Sequence, residues 1–152
     1  MRQESGHALV LSGNPPSPPG LLGRLGCLGR NPDPHQSALA EALKPLDGHL
    51  VWARTPDDET LRDFYRHCDL FVFPSLYEGF GLPLLEAMAC GAPVAASQRA
   101  SLPEVGGEVP RWFDPEDPTD FRAALRWGLQ NAEDRRRAGL EQARRFDCET
   151  SA

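Results

Sequence analysis

The sequence predicts a fold of the α/β class, a parallel sheet flanked by helices, on three observations. Apolar runs at 7–12, 49–53, 69–74 and 93–97 have the length of strands, and stretches of helical periodicity separate the later ones. The apolar character of the first run is nearly continuous, as in strands covered on both faces of a parallel sheet. Between Asp69 and Ser97 a strand pattern, a glycine-rich turn, a short helix and a second strand pattern follow within fewer than thirty residues, the local order of a parallel crossover unit.

Length and charge narrow the classes of function. At 152 residues the chain has the size of one domain with a core of its own. A net charge of −6, with no Lys/Arg block rising above that background, argues against a nucleic-acid surface, so no nucleic-acid partner is expected. No apolar run approaches the roughly 20 residues of a membrane span, and MRQESGH has no signal-peptide core, so the expected location is cytoplasmic. Cys27, Cys68, Cys90 and Cys148 form no C-x-x-C pair, and Cys68 and Cys90 read as reduced, buried small hydrophobes. Asp63 and His67 stand four apart on a helical stretch, but no further ligands converge on them and no metal site is expected.

Taken in order, residues 1–6 form a polar tail and 7–146 a single domain, with 147–152 as a short C-terminal tail. HALVLS is the first strand. The segment 13–34 is so rich in proline and glycine that it reads as an extended loop. Residues 35–46 give a short amphipathic helix and 49–53 the next strand. Thr55-Pro56-Asp57-Asp58 supplies a cap, a first-position proline and acids for a helix through Cys68, with Leu61, Phe64, Tyr65 and Cys68 on one face. DLFVFP, 69–74, is the expected central strand, Pro83 opens the motif helix, Gly91 caps it, and 93–97 is the next parallel strand. Leu102 to Val105 opens a brief helix with Glu104 as a cap or brace, and 111–114 is a short strand. Asp117 caps a helix that carries Phe121, Ala124, Leu125 and Trp127 inward. A last helix over about 132–146 shows Arg135, Arg136, Arg137, Arg144 and Arg145 on a solvated face interleaved with acids.

The chemistry concentrates in EGFGLPLLEAMACG, residues 78–91. Backbone N–H groups at Gly79, Phe80, Gly81 and Leu82, ahead of a helix N-terminus, make an anion site that the glycines let a phosphate approach. A carboxylate on the first helical turn can accept hydrogen bonds from two neighbouring ribose hydroxyls, a role that fits Glu86. Glu78 would repel a phosphate, so it is expected to point toward a neutral polyol such as a sugar ring. The constellation asks for a sugar nucleotide. A purely structural turn has no need of two carboxylates at this spacing.

With FPS ahead and SLPEV behind, this stretch resembles the signature of the family 4 retaining glycosyltransferases, the glycosyl transferases group 1. The resemblance implies a Rossmann-like domain, one half of the two-domain GT-B fold. It also implies that Glu78, the one candidate catalytic residue, contacts the donor hexose and that Glu86 contacts the ribose. The amides of Gly79 to Leu82 would meet the donor sugar and diphosphate. No cofactor and no metal are implied; the donor substrate is a nucleotide diphosphate sugar. The partners implied are that sugar nucleotide and an N-terminal acceptor domain missing from this chain, through which alone any peripheral membrane contact would come.

Three departures bear on activity. The segment 13–34 is longer than in the family, Arg99 stands where glycines are common, and MRQESG, with only Arg2 and no glycine-rich approach, replaces the family's upstream basic phosphate loop, leaving Arg24, Arg30 or Arg99 as substitutes. Both ends look cut. The expected function is that of a donor-binding half which transfers a hexose from a nucleotide diphosphate sugar to an acceptor only with its partner domain. The alternative is a non-catalytic remnant that binds a nucleotide sugar or a partner protein.

Overall fold

The computed structural model describes residues 9–12, 50–53 and 56–146. The expected tails, the loop 13–34 and the helix 35–46 lie outside the described residues. The chain divides into two compact units, Met1–Asp57 and Asp58–Ala152. In the first, β1 (Leu9–Ser12) and β2 (Leu50–Ala53) pair in parallel, with Leu9 opposite Leu50 and Ser12 opposite Ala53.

The second unit runs α1 (Asp58–His67), β3 (Phe71–Phe73), α2 (Leu82–Ala89), β4 (Val94–Ser97), α3 (Leu102–Gly106), β5 (Arg111–Phe113), α4 (Pro118–Gln130) and α5 (Ala132–Ala143), ending in a 3₁₀ turn, Arg144–Phe146. Its three strands form a parallel sheet in the order β3-β4-β5. The middle place therefore falls to β4 and not to the strand of 69–74, which lies at one side of this sheet. Burial explains the difference: all four residues of β4 are buried, whereas β3 is half-buried throughout. Small residues at Ala95 and Ala96 let elements close on β4 from above and below.

The period-two alternation of side chains divides this unit's interior between the two faces of the sheet. Phe71, Phe73, Val94, Ala96 and Trp112 join one cluster with Tyr65 of α1, with Leu84, Ala87 and Met88 of α2, and with Leu102 and Val105 of α3. Val72, Ala95 and Phe113 face the other way, against Ala124 and Phe121 of α4. The Phe113 and Phe121 rings meet edge to face at 5.1 Å. In α2 the buried residues Leu84, Ala87 and Met88 follow an i, i+3, i+4 pattern. Leu84, fully buried, is worth about 2–5 kcal/mol against alanine.

Several element ends differ from expectation by small steps with physical causes. Helix α1 begins at Asp58, so Pro56 precedes it and does not occupy its first position, while Asp58 and Glu59 still sit on the positive dipole end and Arg66 and His67 on the negative one. Helix α2 starts at Leu82, which puts Pro83 second, where its missing N–H is equally harmless. Gly91 closes α2 as expected. Its φ is 77°, its amide donates to Met88 O at 3.0 Å, and that of Ala92 donates to Ala87 O at 2.9 Å, the paired bonds of a Schellman end. Asp117 caps α4 by accepting from the Thr119 amide at 2.8 Å.

The arginines of α5 do not form one solvated face. Arg136 donates to the carbonyls of Gly91 at 3.0 Å and Cys68 at 2.9 Å, where α2 and α1 have just ended. Arg135 donates to Glu108 O and Val109 O and lies 4.5 Å from the centre of the Trp127 ring. Arg137, Arg144 and Arg145 are at the surface as read. Among the described residues no helix is long and apolar enough to cross a membrane.

Two glycines in this unit predict opposite outcomes. A Cβ on Gly106 would stand 2.7 Å from the Pro110 ring and 2.8 Å from the Trp112 ring, and neither ring can bend away. Gly106→Ala should lower stability by about 1–3 kcal/mol in a denaturant titration. A Cβ on Gly139 would meet Met88 at an ordinary 3.6 Å, so Gly139→Ala, in the interior of α5, should be neutral or raise stability by up to about 1 kcal/mol.

Candidate functional site

The glycine-rich loop leaves β3 and enters α2 through Gly81, whose φ of 82° and ψ of 38° place it in the left-handed region. A side chain there would be strained by its backbone and would also meet Leu102 Cδ2 at 2.6 Å. The Gly81 carbonyl receives the amides of Leu84 at 3.0 Å and Leu85 at 3.2 Å. Pro83 has no amide, and no side chain caps this helix or places an acid in its first turn. The Leu82 amide thus stands at the positive end of the helix with no side-chain cap. Nothing lies within 4 Å of where a Cβ would stand on Gly79, so its backbone is open to close approach.

Serine hydroxyls hold the loop. Ser97, fully buried at the end of β4, donates to the Ser75 carbonyl. Ser101 donates to the Gly79 carbonyl at 2.8 Å, with Glu78 O at 3.4 Å, and gives its own helix α3 no cap. The Ser75 hydroxyl lies 3.1 Å from both Glu78 Oε1 and Tyr77 O. Glu78 is half-buried, and that contact directs its carboxylate. The large side chains of this loop, Leu76, Tyr77 and Phe80, and Leu82 after it are exposed; Phe80 meets the Phe146 ring edge to face at 6.2 Å.

Glu86 is exposed on α2 as its fifth residue, and so lies on the second turn and not the first. Tyr65 of α1 is its electrostatic neighbour. Tyr65 is only 6% exposed and packs edge to face on Phe71 at 5.1 Å. Burial first, and the neighbouring Glu86 next, push its hydroxyl up to about 12. Burial likewise pushes the Cys68 thiol up, and neither Cys68 nor Cys90, both half-buried, is in a disulfide.

The expected site residues therefore lie on one loop and the helix it opens: Glu78, Gly79, Phe80 and Gly81 before α2, Leu82 and Glu86 within it. Arg99, read as solvent-facing or as a phosphate ligand, lies at the surface in ion pairs. Its guanidinium is paired at 2.9 Å with both Asp114 and Glu116. Glu104 is exposed on the first turn of α3. The Nδ1 of His67 lies 2.9 Å from the Asp63 carbonyl of its own helix. Tyr65, Ser75, Ser97 and Ser101 had no place in the expected site, although the sequence did put Tyr65 on the inward face of α1.

A parallel α/β unit that presents a glycine loop and a helix N-terminus beyond the carboxyl end of a strand is a Rossmann-like domain, and the solved structures it resembles are GT-B glycosyltransferases. A sucrose-phosphate synthase from Thermosynechococcus elongatus superposes with a TM-score of 0.70 at 24% identity, over 94% of this chain and 35% of that one. The catalytic domain of starch synthase IV from Arabidopsis thaliana, bound to ADP and acarbose, gives 0.58 at 21% identity, over 97% and 36%. The chain belongs to the family Glycosyl transferases group 1, which it matches over residues 28–145. It is 46% identical over 106 residues to the O-antigen chain mannosyltransferase B of Escherichia coli, covering 68% of this chain and 28% of that protein. Against the MMP alpha-(1->4)-mannosyltransferase of Mycolicibacterium hassiacum it is 41% identical over 91 residues, 58% of this chain and 22% of that protein. The chain thus spans about a quarter of the length of these two curated relatives.

The Tyr65 environment sets a pH dependence. A hydroxyl whose pKa rises from 10.0 to about 12 on folding keeps its proton longer in the native chain. Its contribution to stability is complete below pH 10 and is lost as the pH climbs to about 12. Urea midpoints across that window should fall more steeply for the wild type than for Tyr65→Phe, and parallel curves would show that the hydroxyl does not titrate there.

Proposed function

We propose that this chain is the donor-binding half of a retaining glycosyltransferase that moves a hexose from a nucleotide diphosphate sugar to an acceptor hydroxyl. The observation that carries this reading is the uncapped N-terminus of α2 behind an open glycine, flanked by the half-buried carboxylate of Glu78 and the exposed one of Glu86 in a chain of this family. Backbone amides suit the diphosphate. Glu86 suits the vicinal hydroxyls of a ribose, since a carboxylate accepts two bonds at once. Glu78, steered by Ser75, suits the hydroxyls of the hexose. That a fold relative holds ADP supports the nucleotide half of the reading, and the names of the sequence relatives make mannose the first sugar to test.

In this reading the bond between the anomeric carbon and the diphosphate oxygen breaks and the acceptor oxygen takes the same face. Stabilising the departing diphosphate is the electrostatic part of the work. Arg99 does not supply it, being committed to Asp114 and Glu116. We assign that charge, and the acceptor, to the rest of the two-domain enzyme, and the alternative of a binding-only remnant is separated from this one by catalysis.

Glu86→Ala should weaken binding of the bare nucleoside diphosphate by about 1.5–3 kcal/mol in calorimetry, the scale of hydrogen bonds to charged groups; unchanged affinity removes Glu86 from the site. Glu78→Gln should shrink the preference for the sugar nucleotide over the nucleoside diphosphate and leave the latter's affinity equal or slightly higher. An equal loss for both ligands would contradict the hexose assignment.

Transfer itself gives a separate test. The 152-residue chain alone, incubated with sugar nucleotides and simple acceptors, should release no nucleoside diphosphate above background. Turnover near about 1 s⁻¹ would show a complete site in this chain and end the half-site reading.

A further inference from the structure

The segment that enters α3 touches the glycine-rich loop at two consecutive residues. Leu102 fills the space beside Gly81, and Ser101 donates its hydroxyl to the Gly79 carbonyl at 2.8 Å, with the Glu78 carbonyl farther off at 3.4 Å. Ser101 stands at the N-cap place of α3, where a serine hydroxyl ordinarily accepts an amide of its own helix, and here it makes no such bond. The turn that delivers it is strained and anchored. Ala100 has a φ of 50°, a region that residues with a side chain rarely adopt, and the Arg99 guanidinium before it is tied at 2.9 Å to Asp114 and Glu116. A hydroxyl directed across to the loop in this way exceeds what starting a five-residue helix asks of it.

What the bond governs is a peptide plane. In a trans peptide the C=O of one residue and the N–H of the next point in opposite directions, so a Gly79 carbonyl held toward Ser101 turns the Phe80 N–H away from α3. Residue 79 by itself would not fix that choice. Glycine lacks the Cβ that restrains the backbone, and among the described residues nothing lies within 4 Å of where one would stand. We propose that Ser101 is a positioning residue for the sugar nucleotide: it keeps the Gly79–Phe80 peptide in the orientation that presents the Phe80 N–H to an oxygen of that ligand, in its diphosphate or its hexose. The inference rests on the donor-site reading of the glycine loop. An N–H fixed in advance loses less freedom when the ligand arrives, so more of its hydrogen bond appears as affinity.

The test uses the full 152-residue chain, isotope-labelled, and follows binding by amide shifts, which read weak and tight affinities alike. The probes are GDP-mannose, UDP-glucose and ADP-glucose, with their nucleoside diphosphates and their bare nucleosides. Ser101→Thr and Ser101→Val are nearly equal in shape and differ in the hydroxyl. Ser101→Val should weaken the best-bound sugar nucleotide by about threefold to tenfold relative to its nucleoside, the scale of one neutral hydrogen bond, and Ser101→Thr should keep the wild-type ratio. A reduced folded fraction cancels from that ratio, so a less stable variant still decides the matter. In the ligand-free chain the Phe80 amide resonance should move in Ser101→Val and stay near its wild-type place in Ser101→Thr. A loss shared by the nucleoside diphosphate supports a phosphate oxygen as the acceptor, and a loss confined to the sugar nucleotide supports a hexose oxygen. Equal losses in both variants, or a Ser101→Val chain that keeps the wild-type ratio, overturn the role of Ser101 alone. A wild-type chain that binds sugar nucleotide and nucleoside diphosphate no better than nucleoside overturns both this inference and the site reading beneath it.

Discussion

The left-handed turn at Gly81 is the constraint on which the rest of the second unit depends. One carbonyl there ends the loop and starts the helix by accepting two amides, and Leu102 from a later segment fills the space a side chain would need. That single conformation fixes where the loop stops, which way α2 points and where its unpaired amides face. The buried stripe of Leu84, Ala87 and Met88 then lands on the sheet, and Glu86 is left on the outer side. Site and core are set by the same few torsion angles.

Support for the loop comes from outside it. Ser97 belongs to the middle strand and Ser101 to the entrance of α3, yet both give their hydroxyls to carbonyls between residues 75 and 79. The strand ladder and the open loop are thus joined by hydrogen bonds whose donors are buried or half-buried, where leaving either partner unmatched costs about 1–3 kcal/mol.

Much of this was legible from residue order. The class of fold, the strands of the second unit, the glycine end of α2 and the aspartate cap of α4 all follow from local rules, because each depends on residues within one turn of one another. The partners of Arg135, Arg136 and Arg99 were not legible. Helical periodicity tells which face a residue takes but not which distant carbonyl or carboxylate waits there, and the Arg136 contacts join residues 45 and 68 positions apart. Middle and edge strands were confused for a related reason: the richer apolar run was that of 69–74, while the more buried strand is built of valine, alanines and a serine whose small size, not hydrophobicity, admits close packing.

The arginine bridge between the ends of α1 and α2 has a consequence for the order of events during synthesis. A loop closing over that many residues pays its entropy before it gains the contact. The two helices that carry Tyr65 and Glu86 emerge from the ribosome well before the guanidinium that ties their last carbonyls together. A nascent chain arrested short of residue 136 holds the glycine-rich motif without that clasp.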